Sequence, residues 1–65
     1  MARIYLIKDH HIDLDKISAI SKGENELNEY WFTVFVPGNK IEIVFNNEHS
    51  RDLHYASLYY EWANL

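Results

Sequence analysis

Tyr30-Trp31-Phe32-Thr33-Val34-Phe35-Val36, then Pro37-Gly38-Asn39, then Lys40-Ile41-Glu42-Ile43-Val44-Phe45, is the stretch that decides the fold. The first seven residues are all aromatic or β-branched, the composition of a strand with a buried face. Lys40 to Phe45 alternates and reads as the next strand, and the Pro and Gly between them mark a hairpin. The turn can close on Gly38-Asn39 or on Pro37-Gly38, and Gly-Asn is the better two-residue pair for the twist of the strands. With that register Val36 faces Ile41, Val34 faces Ile43 and Phe32 faces Phe45. The other register moves the partners by two residues and leaves the same six side chains on one side, so the face assignment holds in both.

Upstream of the hairpin, Ile4-Tyr5-Leu6-Ile7 reads as a first strand, and Asp9-His10-His11 interrupts the apolar pattern. Ile12 to Leu14 alternates and Ile17 to Ile20 continues as a second strand, with a kink at Asp15-Lys16. Lys22 to Glu26 is a polar loop in which Gly23 and Asn25 tolerate positive φ. Downstream, the segment from about 50 to 65 reads as a helix, with Asn46, Asn47 or Ser50 as N-cap. Its apolar arc gathers Leu53, Tyr55, Ala56, Tyr59, Tyr60, Trp62 and Ala63, extended by Leu58 and Leu65. Only His54, Ser57, Glu61 and Asn64 hold a polar stripe. Such an arc is wider than one sheet face needs.

The order predicts an α+β domain over residues 1–65: a four-stranded antiparallel β-meander packed against one C-terminal α-helix. The helix is expected to cover Phe32, Val34, Val36, Ile41, Ile43 and Phe45, with Ile4 and Leu6. The opposite sheet face would carry Tyr5, Ile7, Trp31, Phe35 and Val44 among Thr33, Glu42 and Ser18. A half-apolar outer face and an over-wide helix arc both ask for a cover, and a second copy of the chain is the simplest one. A homodimer is therefore expected.

With 65 residues the chain fits one small domain, and it has no cysteine, which excludes disulfides and thiolate chemistry. Six basic against ten acidic residues give a formal charge of -4, a field that repels phosphate backbones, so a nucleic-acid partner is not expected. Met1 to Lys8 has too short an apolar run for a secretory signal, and no run is long enough for a membrane span. A soluble cytoplasmic protein is the simplest expectation.

Four constellations bear on chemistry. Asp9-His10-His11-Ile12-Asp13-Leu14-Asp15 offers His10, His11, Asp13 and Asp15 as weak metal-ligand candidates, with His11 and Asp13 on one side if the stretch is extended. Its first three residues are similar to the Asp-His-His signature of the DHH phosphoesterases, which would imply a metal-dependent hydrolase. The likeness covers three residues, and the further aspartate motifs of that family have no counterpart here. A solvated turn capped by Asp13 or Asp15 is the plainer reading. His49 and His54 are five apart, so they do not share a helix face as metal ligands would. Tyr55, Tyr59 and Trp62, with Leu58, Leu65, Trp31 and Phe35, are candidates for a partner or dimer contact. With Arg51, the same Tyr55, Tyr59 and Trp62 could instead stack and hold a nucleotide between protomers. Glu24, Glu26 and Glu29, with Asp9, Asp13 and Asp15, form an acidic rim.

No nucleophile elbow or phosphate-cradling loop is present. The chain reads as a non-enzymatic protein-binding module without cofactor. In size, charge and lack of a catalytic motif it resembles the small acidic inhibitors that bacterial viruses encode against host defence complexes. The alternatives are a small-molecule or nucleotide-binding domain and a structural subunit of a larger assembly.

Overall fold

The computed structural model describes residues 3–64. Five strands and one helix follow in order: β1 (Ile4–Ile7), β2 (His10–Asp13), a 3₁₀ turn at Leu14–Lys16, β3 (Ala19–Glu24), β4 (Tyr30–Val36), β5 (Asn39–Phe45) and α1 (Glu48–Ala63). The architecture is α+β, but the strands form two antiparallel sheets rather than one meander of four. β1 pairs with β2, and β3-β4-β5 form a separate three-stranded sheet.

The division arises where one long second strand was expected. Asp13 ends β2 by capping the 3₁₀ turn, its carboxylate accepting from the Asp15 N–H at 3.0 Å. An aspartate satisfying a backbone donor two residues on competes with a sheet ladder. The chain bends there, and Ile12, Leu14 and Ile17 all end up buried.

The β1-β2 register pairs Tyr5 with Ile12 and Leu6 with His11. It therefore reverses the expected faces of β1: Ile7 is buried and Tyr5 packs on the core, while Ile4 and Leu6 are 49% and 66% exposed. β1 has no polar residue to mark its solvent side. Its partner decides, because the polar His11 and Asp13 stand opposite Leu6 and Ile4 and carry them outward.

The β4-β5 hairpin takes the second of the two registers. Phe32 faces Ile43, Val34 faces Ile41 and Val36 faces Asn39, so the turn is Pro37-Gly38. Gly38 has φ 77, as the third residue of a type II turn with proline before it requires. A Gly38-Asn39 turn would leave Pro37 opposite Lys40 in the flanking ladder position, with no N–H to give. The face assignment is unaffected: Phe32, Val34, Ile43 and Phe45 are buried, and Val36 and Ile41 pack against them. The β3-β4 loop also moves. Lys22, Gly23 and Glu24 belong to β3, and the left-handed residue is Asn28 at φ 59. Asn25 organises this loop, accepting from the N–H groups of Leu27 and Glu29 at 2.9 and 3.2 Å.

α1 starts at Asn47, whose side chain accepts from the Ser50 N–H at 2.7 Å. Its last turn contains no basic residue. Arg3, beside β1, supplies the cation instead, donating to the carbonyls of Glu61 and Asn64. The helix buries Arg51 and Leu58 and half-buries His54, Tyr55 and Trp62. The wide apolar arc is thus split lengthwise, and Leu53, Tyr59 and Tyr60 stay exposed. Three strands offer the helix one stripe of contact, and the hairpin residues Ile7 and Ile12, with Leu14 and Ile17, complete the core. Phe32 is central, with ring centroids 5.7 Å from both Phe45 and Tyr55.

Candidate protein-contact surface

The face of the three-stranded sheet turned away from α1 is built by register. Gly23, Trp31 and Val44 form one row across it, Ser21, Thr33 and Glu42 the next, and Ala19, Phe35 and Lys40 the third. Phe35 and Val44 are exposed, at 37% and 48%, and among the described residues no further strand joins this sheet. Trp31 is half-buried, with its indole close against Gly23. A Cβ at Gly23 would stand 2.4 Å from the indole Nε1. Glycine thus lets the ring cover the backbone of the edge strand, which fixes a large amphipathic plate on an open face. Thr33 is 7% exposed, between Trp31 and Phe35 on the same strand face.

Gly23→Ala is therefore expected to lift the Trp31 ring off β3 while leaving the core intact. The expected signs are a red-shifted tryptophan emission and a loss of stability of about 1–2 kcal/mol in urea titration. An unchanged spectrum would show that the indole does not rest on this glycine.

The helix candidates separate from one another. Leu58 is fully buried and belongs to the core. Tyr55 packs edge-on against Phe32, with the Lys22 ammonium 5.4 Å from its ring. Trp62 packs on the core and meets the exposed Tyr59 at 6.4 Å between centroids. Leu65 lies outside the described residues. A second exposed apolar strip, which includes Leu53 and Tyr60, runs along the solvent side of α1. Both belong to the apolar arc of the sequence, and a helical wheel does not say which part of a wide arc meets the sheet.

Arg51 is 2% exposed. It donates to the Gly23 carbonyl at 2.8 Å, to the Trp31 carbonyl at 3.4 Å and to Asp52 at 2.7 Å, and it pairs with Glu24 and Glu48 at 3.4 and 3.7 Å. Burial by itself lowers its pKa, but Asp52 and Glu24 outweigh burial and the net direction is upward. The hydrogen bond from Arg51, together with the charge of Lys22, holds the Asp52 carboxyl below the usual aspartate range. The guanidinium thus joins the first turn of α1 to the end of β3-β4, and it is not presented to solvent together with Tyr55, Tyr59 and Trp62. Its buried role had a trace in the sequence: Arg51, Tyr55, Leu58 and Trp62 follow 4-3-4 spacing, which puts a charge inside the buried stripe.

His10 and His11 lie in β2. His11 and Asp13 fall on the same strand face, as an extended segment requires. Asp13 is engaged as the cap of the 3₁₀ turn, and Asp15 is exposed. Among the described residues no group of three or more His, Asp or Glu is placed to hold a metal ion. His54, expected in the polar stripe, stacks on Phe45 at 5.0 Å and its Nδ1 lies 2.8 Å from the Ser50 carbonyl. Of the acidic rim, Glu24 is paired to Arg51 and Glu29 accepts from Asn25 at 2.8 Å. No described helix is long and apolar enough to cross a membrane. Compared with protein families, curated proteins and solved structures, the chain matches none of them.

Proposed function

We propose that this chain is a non-enzymatic protein-binding module, an acidic inhibitor or adaptor that acts by lying against the surface of a larger protein. The observation that carries this reading is the outer face of β3-β4-β5, where Trp31, Phe35 and Val44 surround Thr33 without a cover from the described chain. A Trp ring already resting against its own sheet at Gly23 loses little freedom on binding, and aromatic anchors of this kind dominate the energetics of protein contacts. The formal charge of -4 favours approach to a basic surface.

The test is a surface variant that spares the core, Phe35→Ser with Val44→Ser. Its helix content and melting temperature should stay close to those of the parent chain. Affinity capture from cells that carry the protein, with quantitative mass spectrometry, should then lose the partner retained by the parent, roughly tenfold or more. Retention of the same proteins by both forms would remove this face as the contact surface.

A further inference from the structure

We infer that two copies of this chain join through the open edge of β5, in one register set by Lys40 and Glu42. β5 ends its sheet, with β4 on one side only. Val36 and Asn39 flank a two-residue turn, so the main-chain groups of Asn39, Ile41, Ile43 and Phe45 point toward β4. Those of Lys40, Glu42 and Val44 point outward. Two contacts agree with this direction: the Val44 carbonyl accepts from the Lys8 ammonium, and the Lys40 N–H donates to the side chain of Asn39 at 2.8 Å. Between them, Glu42 presents an amide and a carbonyl to an edge with no strand beside it among the described residues.

An antiparallel copy has a small choice of registers, because only residues with outward main-chain groups can form the closely bonded pairs. If the two-fold axis passes between the two Glu42 residues, carboxylates face each other. Moved by one residue, the axis passes between the two Ile41 residues. Lys40 then stands opposite Glu42 of the second copy, and Glu42 opposite its Lys40. This register forms two reciprocal ion pairs, satisfies both edge groups of Glu42 and brings the half-buried Ile41 side chains together. The Lys40 N–H exchanges its local Asn39 bond for the partner strand, and Lys8 marks where pairing stops.

Within the chain Lys40 and Glu42 have no ion-pair partner among the described residues, whereas the other edge, β3, has its charges engaged: Lys22 with Asp52 at 3.7 Å and Glu24 with Arg51 at 3.4 Å. The two-fold is perpendicular to the sheet, so both aromatic faces lie on the same side of a six-stranded sheet and remain open. The inference therefore goes beyond the sheet-face reading and does not depend on it.

Sedimentation equilibrium on the full chain, from micromolar to submillimolar concentrations, tests it with three variants: Lys40→Glu, Glu42→Lys and the double exchange. The parent should be dimeric. Each single variant sets like charges opposite each other in both pairs and should weaken the dimer by roughly tenfold or more. The double exchange restores opposite charges in the same register and should recover parental affinity to within about threefold. Amide exchange at Glu42 should slow with dimer formation. A parent that stays monomeric overturns the inference, as does a dimer indifferent to the single variants or a double variant as weak as either one. A monomer that still captures its partner through Phe35 separates failure here from failure of the proposed function.

Discussion

Phe32→Ala is expected to leave most of the chain unfolded at room temperature. The ring is fully buried at the centre of the core, stacked on Phe45 and met edge-on by Tyr55, so three elements lose contact at once. Removing a buried phenyl group costs about 3–5 kcal/mol. The single core of a chain of 65 residues supplies roughly 3–5 kcal/mol in total. Urea titration followed by far-UV circular dichroism should show a midpoint near zero denaturant or no cooperative transition. Two comparisons locate the cause. Phe32→Leu keeps most of the volume and should cost less than about 2 kcal/mol. Phe35→Ala, on the same strand but the other face, should cost under about 1 kcal/mol. Equal losses at Phe32 and Phe35 would mean that both faces are covered, and the surface argued above would not exist.

Arg51→Ala is the second large effect, a loss of about 2–4 kcal/mol. The figure rests on burial and hydrogen bonding. The side chain is 2% exposed, and its removal opens a cavity and takes from the Gly23 and Trp31 carbonyls the charged donor they hold besides their ladder partners. The surrounding carboxylates of Glu24, Glu48 and Asp52 are half-exposed, so water screens their contribution. Arg51→Lys keeps the charge but lacks the planar fork that meets a carbonyl and two carboxylates together, and should recover only about half of the loss. Arg51→Met keeps the apolar stem and should also fall between. Parental stability in the Met variant would show that packing, not the polar network, is what Arg51 contributes.

The same cluster gives an acid limb to stability. The Asp52 carboxyl is held below its ordinary range in the folded chain, by Arg51 first and Lys22 next. Its contribution is complete above the ordinary aspartate range and is lost as the pH falls from there through the depressed value. The melting temperature should therefore drop on acidification below the ordinary range, and Asp52→Asn should lower stability at neutral pH while flattening that drop. A steeper acid limb in Asp52→Asn would assign the effect to other carboxyls.

The cluster also illustrates where a sequence stops speaking. A buried arginine leaves a 4-3-4 trace on its helix, but its acceptors are main-chain carbonyls 20 and 28 residues away in the chain. Carbonyls carry no sequence signature. The outer sheet face is different. Trp31, Thr33, Phe35, Glu42 and Val44 were assigned together from alternation alone, because a strand fixes side-chain direction every second residue.

The sequence by itself determined the α+β class, β4 and β5 with their buried and open faces, and the helix with its cap among Asn46, Asn47 and Ser50, because these follow from periodicity and local hydrogen bonding. Tertiary structure alone decided three things. The polar residues of β2 turned Ile4 and Leu6 outward, since β1 has no polar residue of its own to orient it. At the bend beside Asp13, β2 stays with β1 and β3 pairs with β4 alone, so the expected meander becomes two sheets. The narrow inner face of three strands chose which half of the helix's apolar arc is core, placing Leu58 inside and Tyr59 and Tyr60 in solvent. Each depends on which surfaces meet, and a one-dimensional pattern records how wide an apolar surface is without recording what lies against it.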